Sequence, residues 1–109
     1  MATSRQQPNI AYKVVTQDLR SLGLKRNPTI LTFPIGEWVY ENGLLRRTKE
    51  DRGGIWVART MGNARHLAKY MRNKRDTETR IFRSEIGERL YENSYRVKTD
   101  KVRMLEELI

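Results

Sequence analysis

A chain of 109 residues is long enough for one domain with a modest core and too short for two. It has no cysteine and one histidine, which removes disulfides, cysteine-ligated zinc, iron–sulfur clusters, thiol catalysis and any histidine-based metal site. Residues 1–9 are polar and form no secretory signal peptide, and nowhere does an apolar run reach the length of a bilayer, so the expectation is a cytoplasmic, soluble protein without membrane insertion.

The charge balance points to partners. Lysine and arginine total 22 against 13 acidic residues, a net charge of +9. Charge of this sign suits nucleic acid, an anionic membrane surface or an acidic protein, and it also serves solubility. Arginine outnumbers lysine, and its planar fork matches phosphates and base edges better than an ammonium does. Two tryptophans, two phenylalanines and five tyrosines supply bulky anchors for a core that is otherwise thin, at 38% apolar residues.

In chain order, residues 1–9 read as a flexible lead-in to a single domain over 10–109. Tyr12 to Thr16 is a strand by its aromatic and β-branched content. Gly23, Asn27 and Pro28 punctuate a loop over 21–28, and Thr29 to Phe33 forms a second strand that Pro34 ends or confines to an edge. Glu37 to Tyr40 is a third, with Trp38 and Tyr40 on one face. Asn42-Gly43 is a strong hairpin signal, which makes Leu44 and Leu45 the start of a return strand. The charged stretch 46–52 reads as a mobile loop. Ile55 to Ala58 is a short buried strand behind Gly53-Gly54.

Residues 61–73 carry the clearest helix. Ala64, Leu67, Ala68 and Met71 fall at the spacing of one apolar stripe, and Asn63 is suited to cap it. Thr79 to Phe82 is a further strand. The last third fits two periods: Val102, Leu105, Leu108 and Ile109 suit a helix, whereas Val102, Met104 and Leu108 suit a strand. The fold class expected is α+β, a small mostly antiparallel sheet with the 61–73 helix packed on one face.

Two cation clusters are candidate phosphate contacts. Arg65, Lys69 and Arg72 lie four and three residues apart, on one face of the helix beside its apolar stripe. Arg46, Arg47, Lys49 and Arg52 crowd the loop, against Glu50 and Asp51. Lys25-Arg26 and Arg96-Lys98 are smaller instances. Each is also what an ordinary solvated surface looks like, and their number carries the reading. Trp38, Tyr40, Tyr91 and Tyr95 sit near cations, where exposed rings stack on unpaired bases.

Ile55-Trp56-Val57-Ala58-Arg59-Thr60, followed by Asn63 and Arg65, resembles the second half of the GIY-YIG nuclease signature over about a dozen residues. In that family a strand leads through a basic-Thr/Ser step to a helix bearing a catalytic arginine, so the resemblance implies a small nuclease. Ala58 stands where the family has a glycine, and no Gly-Ile-Tyr triplet lies at the usual distance upstream. Glu85, Glu88 and Glu92 share one face if their segment is helical, although Gly87 and the intervening arginines favour ion pairs.

The function expected is therefore a non-enzymatic nucleic-acid-binding module, RNA or DNA, contacting phosphates through Arg46, Arg47, Lys49 and Arg52 and through Arg65, Lys69 and Arg72, with no metal and no cofactor. The alternative is an interaction factor that docks on an acidic protein surface, with Trp38 or Trp56 as its anchor. A small enzyme such as a nuclease comes third. Oligomeric state is not indicated.

Overall fold

Alternation along residues 10–16 places Ala11, Lys13 and Val15 on one side of a strand and Tyr12 and Val14 on the other. Each side needs its own cover, and this requirement organises the molecule. The computed structural model describes residues 9–23 and 30–109. Among these, one helix packs against a seven-stranded antiparallel sheet, an α+β domain as the sequence predicts.

The strands are β1 (Ile10–Thr16), β2 (Trp38–Tyr40), β3 (Ile55–Ala58), β4 (Thr79–Ile86), β5 (Arg89–Glu92), β6 (Arg96–Thr99) and β7 (Lys101–Glu107), and the helix α1 is Met61–Arg75. They lie in the order β2-β7-β4-β1-β3-β6-β5. On one face, Ala11, Val15, Phe82, Ile86, Val97, Val102 and Met104 form the larger core, closed by Phe33 from the 30–37 segment. On the other, Val14, Ile81 and Ala58 receive Ala64 of α1, with Leu67 and Ala68 packed beside them.

The helix is longer than the 61–73 expected, and its cap is different. Thr60, in extended conformation, accepts from the Asn63 backbone N–H at 3.1 Å, so Thr60 and not Asn63 is the N-cap. Asp76 closes the C-terminus in the left-handed region, φ 52°. Thr60→Ala should lose about 1 kcal/mol of stability, read by urea unfolding, since one orphan helix donor goes without its acceptor.

Other expectations need correction. Residues 30–33 form no strand: Thr32 makes a single bridge to Arg20, and Phe33 serves as a core plug; residue 29 lies outside the described residues. Asn42-Gly43 does not turn a hairpin. β2 pairs with β7, and Leu44 and Leu45 are exposed without strand partners. The 96–109 segment resolves into β6 and β7, with Val102 and Met104 buried and Leu105, Leu108 and Ile109 exposed. Glu85, Glu88 and Glu92 share no helical face; they lie in and around β4 and β5 and pair with Arg103, Arg47 and Arg59 respectively. Among the described residues, no helix is long and apolar enough to cross a membrane.

One irregularity positions the site. β1 and β3 register at one residue pair, Tyr12 with Ala58, and then separate. The sheet is therefore split below that pair, with β4 still zipped along the whole of β1 and β6 along the whole of β3.

Candidate functional site

Helix α1 carries Arg65, Lys69, Arg72, Lys74 and Arg75 and not one acidic residue. Packing Ala64 and Met71 against the sheet turns all five cations outward, where they are exposed. Arg72 approaches Glu78 at 3.7 Å. Among the described residues, Arg65, Lys69, Lys74 and Arg75 have no ion-pair partner. The last-turn cations favour the negative end of the helix dipole.

The sheet treats its arginines differently. Arg80 forks onto Glu107 through Nε at 3.0 Å and Nη2 at 2.8 Å, and Arg83 meets Glu106 at 3.1 Å. Arg59 and Arg89 share Glu92 at 2.9 and 3.2 Å. The Arg80 fork holds the Glu107 carboxyl below the usual carboxylate range. Outside α1 and the 46–52 loop, the described residues carry ten cations against eleven acids, so the sheet is close to neutral. Positive charge is thus concentrated where it is not cancelled.

The 46–52 loop is held by main-chain and side-chain bonds, against the expectation of a mobile segment. Lys98, wholly buried, donates to the Glu50 and Arg52 carbonyls at 2.9 Å each. Trp56 Nε1 donates to the Asp51 carbonyl at 2.9 Å, and the Arg46 amide to Gly53 O at 2.9 Å. Gly54 is required here, because a Cβ would stand 2.5 Å from Lys98 Cγ. Burial pushes the Lys98 amine below its ordinary value. Two of the four loop cations are engaged: Arg46 lies 3.8 Å from Glu50, and Arg47 pairs with Glu88 across the sheet end. Lys49 and Arg52 are exposed.

Between loop and helix lies a cleft of about 770 Å³, at the level where β1 and β3 part. Asp51 and Gly54 line it from the loop side, and Gly62, Asn63, His66 and Tyr70 from the helix. Its walls are mostly apolar, with Val14, Leu22, Ile55 and Val57 among them. Tyr70 and Tyr95 line it while remaining 44% and 56% exposed. Trp56 is less available: the Arg96 guanidinium lies 3.8 Å from its ring centre, and Tyr91 meets it edge-on at 6.0 Å.

Lys13 also lines the cleft. It is buried, and its Nζ donates to Trp56 O at 2.9 Å across the gap between the strands. The same nitrogen lies 4.9 Å from the Phe33 ring centre. Removal from water, with no carboxylate paired to it among the described residues, lowers the amine to about 8.

The structure thus sets the two predicted clusters on either side of one cleft. It leaves all seven exposed, pairs Arg46, Arg47 and Arg72 with acids, and leaves Arg65, Lys69, Lys49 and Arg52 with no ion-pair partner among the described residues. None of these seven lines the cleft itself. Of the candidate stacking rings, Tyr95 borders the cleft, Tyr91 is spent on Trp56, and Trp38 and Tyr40 lie on β2 under Lys101 and do not line it. Arg65, the position the nuclease resemblance singles out, is on the outer helix face. Lys25 and Arg26 lie outside the described residues. Sequence reasoning missed Lys13 and Tyr70. A lone lysine centred in an aromatic and β-branched run, Tyr12-Lys13-Val14-Val15, was the available signal for the first. No protein-family model, characterised protein or solved structure matches this chain.

Proposed function

We propose that the protein binds single-stranded nucleic acid, with phosphates on the outer face of α1 and unpaired bases against Tyr70 and Tyr95. The observation that carries this reading is the helix with five exposed cations and no acid, beside a sheet whose arginines are neutralised. The four that no acid engages among the described residues, Arg65, Lys69, Lys74 and Arg75, displace counterions from a polyanion at no loss of an existing pair, and Arg72 gives up only a long contact to Glu78. Rings exposed beside a basic ridge suit a strand whose bases are unstacked, because every base has a face to offer. Lys49 and Arg52 extend the path beyond the cleft. Such contacts position a strand without reading its sequence.

Polarisation titrations with labelled fifteen-nucleotide single strands and the matching duplex test the reading. Binding should be tighter to the single strand. Log K should fall against log salt with a slope of roughly −2 to −4, since each phosphate contact to a single strand contributes about −0.7. Absence of binding at low salt removes the proposal, and capture of an acidic protein would then replace it. Shortening of the probe with added divalent metal would make the protein a nuclease instead.

A further inference from the structure

We infer that the cleft is a binding site for a small organic acid, a ligand with a planar or apolar body whose anionic group takes its place against Lys13. This does not rest on the nucleic-acid reading, whose phosphate contacts lie on the outer helix face, although both readings use Tyr70 and Tyr95.

Lys13 is the starting point. A buried ammonium ordinarily has a carboxylate or a full set of acceptors, because an uncompensated charge in an apolar surround is strongly unfavourable. Lys98 meets that rule with two carbonyls. Lys13 has one carbonyl for three donors and no carboxylate among the described residues. The other charged groups of the cleft wall do not fill the gap. Asp51 lies 3.9 Å from Arg96, and the Glu41 carboxylate accepts from the Gly43 amide at 3.3 Å. His66 borders the cleft from the exposed side of α1. Lys13 is thus a cation without its counter-charge, placed by the parting of β1 and β3.

The rest of the cleft defines the ligand body. Its volume of about 770 Å³ falls within the range of small-molecule sites, which are mostly apolar with few convergent polar groups. Val14, Leu22, Ile55 and Val57 offer no hydrogen bonds, so a heavily hydroxylated ligand would lose its solvation there. Tyr70 and Tyr95 flank the mouth with ring faces suited to a planar system. A flat hydrophobic body ending in a carboxylate, sulfonate or phosphate satisfies all three.

The test compares two fluorescent probes with the same rings, 1-anilinonaphthalene-8-sulfonate and uncharged N-phenyl-1-naphthylamine. The intact protein should bind the sulfonate at one site, about tenfold or more tighter than the neutral probe, the usual scale of a charge-assisted hydrogen bond. Lys13→Met should abolish that preference while keeping affinity for the neutral probe. Lys69→Met, which removes the same charge from the outer helix, should leave the preference intact. Equal affinity of the intact protein for both probes overturns the inference. So does a preference that survives in Lys13→Met or disappears in Lys69→Met. Oligonucleotide binding should follow the opposite pattern, weakened by Lys69→Met and unchanged by Lys13→Met, so each reading fails separately.

Discussion

Lys13→Met should make the protein more stable at neutral pH, by about 2 kcal/mol. The folded state lowers the Lys13 amine from 10.5 to about 8, and at ~1.4 kcal/mol per unit this corresponds to roughly 3 kcal/mol of unfavourable burial. Methionine fills a similar volume and forgoes one hydrogen bond to Trp56 O, worth about 1 kcal/mol. The sign with pH follows from proton counting. Below about 8 the amine is charged whether folded or unfolded, and the penalty is fully present. Between about 8 and 10.5 the unfolded chain holds the proton that the folded one has released, so stability from this group rises with pH. Above 10.5 both states are neutral and the penalty is gone. Urea unfolding of both proteins from pH 7 to 10.5 should therefore show the advantage of the variant shrinking across that window. Other titrating groups cancel in the difference. A gap that stays constant with pH would mean that the charge on Lys13 is not what destabilises the fold. A native residue that weakens its own fold is what functional sites commonly contain.

Replacing Arg65, Lys69 and Arg72 together by glutamine should weaken binding to single strands on the order of a hundredfold at low salt, and flatten the salt slope by about 2. The matched control is Arg80, Arg83 and Arg89 replaced in the same way. It lowers net charge equally but takes cations already occupied by Glu107, Glu106 and Glu92, so affinity should change little. Loss of affinity in both triple variants would show that total charge alone drives association. Glutamine is as good a helix former as the residues it replaces, and exposed ion pairs contribute at most about 1 kcal/mol each, so both variants should remain folded.

What could be read from the chain was what local chemistry decides. The stripe Ala64, Leu67, Ala68 and Met71 required a helix, and the β-branched run before Thr16 required a strand, because neither depends on a distant partner. Asn42-Gly43 misled for the converse reason. Its turn preference is real, but Trp38–Tyr40 finds its partner in Lys101–Arg103 at the far end of the chain, and no local signal records that pairing. Thr60 and Asn63 are both good caps, and only the backbone conformation separates them. The candidate site was legible by half. Arg65, Lys69 and Arg72 declared themselves by spacing, whereas the engagement of Arg47 by Glu88 spans 41 residues. The cleft arises where β1 and β3 diverge, a property of strand register that composition does not encode.

The division between a neutral sheet and a cationic helix has a consequence for how the protein meets its partner. Among the described residues, the uncancelled positive charge lies to one side of the sheet, on α1 and the 46–52 loop. In the field of a polyanion such a body experiences a torque as well as an attraction, and it turns before it touches. At physiological ionic strength that field reaches only about 8 Å, so the turning happens in the last stage of approach. On the proposed nucleic-acid reading, encounters within that distance should arrive with α1 leading, which shortens the search over orientations that slows association of unpolarised surfaces.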